Sequence, residues 1–145
     1  MRSTKRWIGP VTALLFVLSA LPASAASRAG TWRGDTSQDF GIRFIVGDDE
    51  RVKTVKVTIE YESDECILQV TWEFGLDSRI RDDGTFRLDL VDDQDDRDTA
   101  LILGEFVTRQ RAEGTFRSSL VEGGGCGDLK GKGTWTAKRV SDPAA

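Results

Sequence analysis

Carboxylates and two cysteines are the residues that could do chemistry in this chain, because it contains no histidine. Without histidine the usual Ser-His-Asp and Cys-His catalytic units cannot form, and the commonest zinc and iron ligand is missing. Acidic residues cluster at two predicted strand ends, within residues 60–65 and 82–89. A glycosidase needs two carboxyl groups about 5–10 Å apart across a cleft, but charges at strand ends are usually solvated turn residues. We therefore predict no catalytic residue and keep a carboxylate-dependent hydrolase as an alternative.

The most concentrated acidic feature is the segment 92–98. Its five carboxylates belong to Asp92, Asp93, Asp95, Asp96 and Asp98. Oxygen ligands suit Ca²⁺, yet the EF-hand spacing fails, because Arg97 takes the fifth position counted from Asp93 and no later Gly or Glu completes the loop. The other interpretation is a solvated turn of mutually repelling charges. We predict a loop that contacts a partner or Ca²⁺, and no other cofactor or metal.

The first 25 residues have the three-part layout of a secretory signal peptide. Arg2, Lys5 and Arg6 precede an apolar run over residues 11–21, and Ala23-Ser24-Ala25 is a small-x-small cleavage site. The apolar run is shorter than the roughly 20 residues that a membrane-spanning helix needs, and no cysteine follows the site for lipid attachment. The sequence predicts export by a bacterial Sec route, cleavage near Ala25, and release to the periplasm or the medium.

The two cysteines, Cys66 and Cys126, are predicted to form a disulfide. An even number of cysteines in an exported chain is typical of a cross-link. The bond would close a loop of roughly 60 residues and stabilise the fold by about 4 kcal/mol in the chain-entropy model. The alternative, a metal held by two free thiols, lacks any histidine partner.

Length and charge limit the organisation of the mature chain. Residues 26–145 are enough for one domain with one core. Loss of the three signal-peptide cations changes the formal charge from −4 to −7. Nucleic acids and anionic lipid surfaces need a basic footprint, so the composition argues against both as partners.

Period-2 alternation of apolar and polar residues dominates the mature chain and predicts eight or nine short strands. Asp83-Gly84 between two extended runs indicates a hairpin. Sequential antiparallel strands of this kind form an up-and-down meander closed into a barrel; a β-sandwich and a helix-containing α+β fold are the alternatives. The predicted core residues are Val55, Val57, Ile59, Leu68, Val70, Trp72, Phe86, Leu88, Phe106, Phe116 and Trp135.

A Gly-Thr-aromatic motif recurs along these strands. Its copies are Gly30-Thr31-Trp32, Gly84-Thr85-Phe86, Gly114-Thr115-Phe116 and Gly133-Thr134-Trp135. Each copy places a glycine and an aromatic residue on the same strand face, where the glycine leaves room that a ring can fill. Irregular spacing of the copies favours a shared packing solution over duplication.

The first and last strands together resemble the calycin superfamily of meander barrels, which includes lipocalins, avidins and bacterial metalloprotease inhibitors. The resemblance lies in Gly30-x-Trp32 and in Trp135-x-Ala137-x-Arg139; small exported bacterial all-β proteins of unknown function share this opening and close. It implies that Trp32 plugs one barrel end and that Arg139, or Lys138, lies across it in a cation–π contact of about 0.5–2 kcal/mol.

These features together predict an exported, non-catalytic binding protein, mainly by exclusion of other classes. Trp32, Trp72 and Trp135 lie in phase with strand core faces, so core packing is favoured over a ligand platform for them. The polar loops are where a rigid β scaffold usually places recognition. The partner would be a small molecule or a protein. Inhibition of a protease or a lysozyme is the alternative binding role.

Overall fold

Alternating apolar and polar residues build eight strands, which form almost all of the regular structure. The computed structural model describes residues 27–141, so the predicted signal peptide and its cleavage site lie outside the described residues. The strands are β1 (Gly30–Thr36), β2 (Gly41–Val46), β3 (Arg51–Glu62), β4 (Ile67–Arg79), β5 (Thr85–Val91), β6 (Thr99–Phe106), β7 (Arg111–Leu120) and β8 (Leu129–Ser141). A single helical turn at Gly123–Gly125 is the one further regular element in this part of the chain.

The strands form one antiparallel sheet that curls into a nearly closed barrel. Their order is β4-β3-β2-β1-β8-β7-β6-β5, so the first and last strands pair and the two ends of the sheet are β4 and β5. The prediction of an all-β up-and-down meander is confirmed, with a barrel instead of a sandwich. The strands number eight, within the predicted eight or nine, and β4 ends at Arg79 before the turn that leads into β5.

An aromatic cluster fills one end of the barrel interior. Trp32 stacks on Phe44 with ring centroids 5.8 Å apart, and Phe106 meets the face of Trp32 edge-on at 4.8 Å. Phe86 and Trp135 complete the cluster, with centroids 6.1 Å apart. All five side chains are buried. Such rings supply a large share of the apolar area that a small β domain can remove from water.

Two of the motif copies lie opposite each other across the β7–β8 pair. Gly114 lies opposite Trp135, and Gly133 lies opposite Phe116. A Cβ atom added to Gly133 would lie 2.6 Å from Cζ of Phe116, a distance shorter than any van der Waals contact. Gly133 therefore makes room for the ring of Phe116, as the motif predicts, whereas a Cβ atom added to Gly114 would meet the backbone of Leu103 and Gly104.

Two predicted core residues, Leu68 and Val70, are only half-buried, which corrects that part of the predicted core. Both lie on β4, an edge strand that pairs with no strand on its β5 side within the described chain, where one side-chain bond, from the Ser78 hydroxyl to the carbonyl of Arg87 (2.8 Å), reaches β5. The other nine predicted core residues are buried. Because alternation reports which face of a strand points inward, but not whether a further strand covers its edge, the sequence overestimated the burial of β4.

Candidate functional site

The acidic segment 92–98 forms a loop between β5 and β6 that is held by its own carboxylates. Asp92 Oδ1 accepts hydrogen bonds from the backbone N–H groups of Gln94 (2.7 Å) and Asp95 (3.3 Å). Asp98 Oδ1 accepts one from the backbone N–H of Val121 (2.7 Å). The two Asp92 bonds are local turn contacts of the kind that aspartate commonly makes, whereas the Asp98 bond joins this loop to the residue that follows β7.

The remaining carboxylates of this loop do not converge on a common point. Asp95 is bridged by Arg97 through two bonds of 2.9 and 2.8 Å, and these bonds lower the pKa of the Asp95 carboxyl. Asp93 and Asp96 are exposed. Among residues 27–141, no group of three acidic, cysteine or histidine side chains could hold a metal ion. Ca²⁺ binding by this loop stays a prediction.

At the acidic strand end within residues 82–89, two carboxylates are held by local contacts. Asp83 Oδ1 accepts hydrogen bonds from the hydroxyl and the backbone N–H of Thr85, and Arg87 forms two bonds to Asp89. These contacts lower the pKa of both carboxyls. A general acid at neutral pH requires the opposite, a raised pKa.

Trp32 and Arg139, the residues of the calycin-like pattern, are partners across β1 and β8. Arg139 Nη1 donates to the carbonyl oxygens of Ala29 (3.1 Å) and Ser27 (3.3 Å), and Trp32 Nε1 donates to the carbonyl of Arg28 (2.9 Å). These bonds hold residues 27–29 across this barrel end, where the Arg28 guanidinium also lies 5.6 Å from the Phe106 ring centroid. Lys138, the alternative cation, points to the outer wall beside Arg33.

A buried hydrogen-bond chain occupies the other half of the interior. The Tyr61 hydroxyl accepts a bond from Trp72 Nε1 (2.9 Å) and shares one of 2.5 Å with Ser118, whose hydroxyl donates to the carbonyl of Thr99 (2.7 Å). Burial raises the pKa of Tyr61, and the two side-chain hydrogen bonds partly oppose that effect. Side chains therefore occupy both halves of the barrel interior.

Cys66 and Cys126 form a disulfide, with Cα atoms 5.9 Å apart. The bond fastens the loop before β8 to the start of β4, the exposed edge strand. A disulfide is compatible with an exported protein. The described part of the chain also contains no helix with the length and apolar character needed to cross a bilayer.

Five cationic side chains stand side by side across the outer wall, one from each of five neighbouring strands. In strand order they are Lys56 (β3), Arg43 (β2), Arg33 (β1), Lys138 (β8) and Arg111 (β7). Each lies directly opposite the next in the strand register, and all five are exposed. We refer to this set as the cationic row.

Acidic side chains neutralise only the two ends of the cationic row. Lys56 Nζ is 3.2 Å from a Glu73 carboxylate oxygen, and Arg111 Nη2 is 2.8 Å from one of Glu113. Within residues 27–141, no carboxylate forms an ion pair with any of the three central cations, which are Arg33, Arg43 and Lys138. Like charges directly opposite each other destabilise a strand pair.

Two shallow troughs flank Arg33 along the row. One, of about 530 Å³, has Arg43 and Lys56 at its far side, and the other, of about 420 Å³, has Lys138 and Arg111 there. Both are lined by Gly34 and Asp35. The outer wall therefore carries small residues and, at the centre of the row, three cations that have no ion-pair partner among residues 27–141.

Sequence reasoning did not find the cationic row. Its residues are dispersed between positions 33 and 138, and each strand contributes a single cation. The signal available in the sequence was the place of each cation in the alternation of its strand, because each of them occupies an outward position. Only the strand register brings them together.

Comparison with models of known protein families finds no match to this chain, and comparison with curated proteins finds none either. The barrel is compatible with a calycin-like fold through its meander order and the pairing of β1 with β8. A fold of this kind does not by itself assign a function.

Proposed function

We propose that this chain is an exported, non-catalytic binding protein that recognises an anionic partner through the cationic row. The single observation that carries the proposal is that Arg33, Arg43 and Lys138 lie side by side on an otherwise acidic chain and form no ion pair with a carboxylate within residues 27–141. An arrangement that costs folding energy and is not relieved within the fold is typical of a surface that meets its counter-charges in a partner.

The net acidity of the chain does not oppose this role. Long-range charge sets solubility and non-specific attraction, whereas a local row of one sign acts within a Debye length of about 8–10 Å. A distant acidic surface would then reduce binding to indiscriminate polyanions and leave contacts along the row intact.

Binding of the native protein and two variants to dextran sulfate, with neutral dextran as the reference, tests the proposal. The row variant carries Arg33→Gln, Arg43→Gln and Lys138→Gln. The matched control carries Arg117→Gln, Lys130→Gln and Lys132→Gln, three exposed cations of β7 and β8 outside the row. Both variants lose three positive charges. The proposal expects weaker binding by the row variant alone, and equal losses in the two variants would refute it.

The acidic loop supports a second candidate, recognition of a basic protein surface, which includes an inhibitor role. The bonds of Asp92, Asp95 and Asp98 hold its shape, and Asp93 and Asp96 project from it. Replacement of all five aspartates by asparagine keeps a side-chain oxygen at each turn bond and removes the charge. This change should weaken binding to a basic partner, or to Ca²⁺, with little change in the thermal midpoint. Unaltered binding would discard the loop.

A further inference from the structure

We infer that the anionic partner is a linear uronic-acid polysaccharide that lies across the strands along the cationic row. The inference rests on the proposed function and names the chemistry of its partner. It uses three observations: the direction and spacing of the row, the curvature of the wall beneath it, and the hydroxyl and carboxylate groups beside it.

The spacing of the row is that of the strands themselves. Neighbouring strands lie about 4.8 Å apart, so a ligand perpendicular to them meets one cation per strand at that interval. A linear uronic-acid chain repeats at roughly one strand width per sugar. Because successive sugars turn about the chain axis, alternate carboxylates face the wall and meet every second cation. An extended peptide instead presents same-face side chains about 6.6–6.8 Å apart, which does not match the row.

The wall beneath the row curves, which disfavours a rigid partner. The five cations belong to five consecutive strands of an eight-stranded barrel, whose interior is just wide enough for side chains. Duplex DNA is stiff over about 150 base pairs and would touch only part of such a row. Single-stranded nucleic acid relies on aromatic stacking, and the residues that line the two troughs include no aromatic side chain.

Asp35 distinguishes a sugar acid from other polyanions. It lies beside Arg33 in both troughs and is exposed. A carboxylate at this point repels any polyanion, but hydrogen bonds from sugar hydroxyls to Asp35 offset that repulsion, and a polyphosphate chain has no hydroxyl groups to donate. Thr58 and Thr136 supply hydroxyl groups in the same troughs, and Gly41 leaves room for a ring. Cations with an adjacent acceptor and hydroxyls complement a sugar that carries both a carboxylate and hydroxyl groups.

The test uses oligogalacturonates of increasing length, with linear polyphosphate, single-stranded DNA and anionic phospholipid vesicles as separate probes. Affinity for oligogalacturonate should rise with length up to about five sugars, one for each strand of the row, and then level off, because further sugars find no further cation. The row variant should bind roughly tenfold to a hundredfold more weakly, as expected for the loss of three exposed ion pairs. The control variant should bind like the native protein.

The Asp35→Ala variant gives the decisive result, because its affinity should change in opposite directions for the two polymers. It should bind polygalacturonate roughly threefold to tenfold more weakly, since a hydrogen-bond acceptor is lost, and should bind polyphosphate more tightly, since a repelling charge is lost. Circular dichroism on each variant checks that the barrel is intact.

The outcomes separate the inference from the proposed function. Tighter binding of both polymers by Asp35→Ala, length-independent binding of galacturonate, or preference of the row for polyphosphate, DNA or vesicles would overturn the polysaccharide and leave an anion-binding row. If no polyanion distinguishes the row variant from the control, both the inference and the proposed function are wrong.

Discussion

Trp32 and Arg139 lie directly opposite each other across the β1–β8 pair, and side-chain hydrogen bonds from both reach backbone carbonyls of residues 27–29. Trp32 is fully buried beneath residues 27–29, and Arg139 holds those residues through the carbonyl oxygens of Ser27 and Ala29. The last strand thereby fixes the segment that enters the first strand, which makes this pair a structural clasp.

Substitution Arg139→Met should lower the free energy of unfolding by about 1–2 kcal/mol, because two carbonyl oxygens lose a charged donor while most of the apolar stem is kept. Urea denaturation measures the change. Lys138→Met, at the adjacent outward position, serves as the control and should change stability by less than about 0.5 kcal/mol. Equal effects of the two substitutions would contradict the clasp.

The packing of Phe116 against Gly133 predicts that Gly133→Ala destabilises the barrel by about 1–3 kcal/mol, since a Cβ atom there would overlap the Phe116 ring. Gly75→Ala is the control, because a Cβ atom at Gly75 would have no neighbour within 4 Å. That substitution should be neutral or slightly stabilising. Thermal unfolding of both variants decides, and a tolerated Gly133→Ala would refute the packing role.

Tyr61 should titrate above its ordinary pKa of about 10, because burial disfavours the phenolate. A raised pKa in the folded state contributes stability that is present below about pH 10 and is lost as pH rises through the folded pKa. The chain contains one tyrosine, so phenolate absorbance reports Tyr61 alone.

The Tyr61→Phe variant should lose that alkaline dependence. It should also be less stable at neutral pH by about 1–3 kcal/mol, since Trp72 Nε1 is left without its acceptor. A Tyr61 pKa at or below that of free tyrosine would argue against the buried hydrogen-bond chain.

Replacing Cys66 and Cys126 by serine together should lower the free energy of unfolding by about 4 kcal/mol, because the cross-link spans 60 positions. Mass spectrometry of the native protein should show two hydrogens fewer than the reduced chain. Indistinguishable denaturation curves for the native and double-serine proteins would mean that the bond contributes nothing to the fold.

The sequence was sufficient for the fold because the main determinants are local. Alternation from Val55 to Tyr61 and the turn at Gly84 define strands and hairpins without knowledge of their partners. The pairing of β1 with β8 was predicted from the resemblance of Gly30-x-Trp32 and Arg139 to the calycin pattern. The half-buried Leu68 was not, since edge position is a property of the whole sheet.

The candidate site was not predictable in the same way. Arg33 and Lys138 are 105 positions apart in the chain and become neighbours only through the β1–β8 register. Conversely, the acidic loop is visible in the sequence, yet the hydrogen bonds that Asp92 and Asp98 accept from backbone N–H groups depend on the folded chain. The strand register determines which of the charged side chains lie side by side.

The salt dependence of polyanion binding is the most direct test of whether the cationic row binds the partner. The number of ionic contacts sets the slope of the logarithm of affinity against the logarithm of salt concentration. The Arg33→Gln, Arg43→Gln, Lys138→Gln variant should show a clearly smaller slope. It should lose no stability, because the substitutions relieve like-charge repulsion. The control variant at Arg117, Lys130 and Lys132 should keep the native slope. Native slopes in both variants would contradict the claim that the cationic row binds the partner.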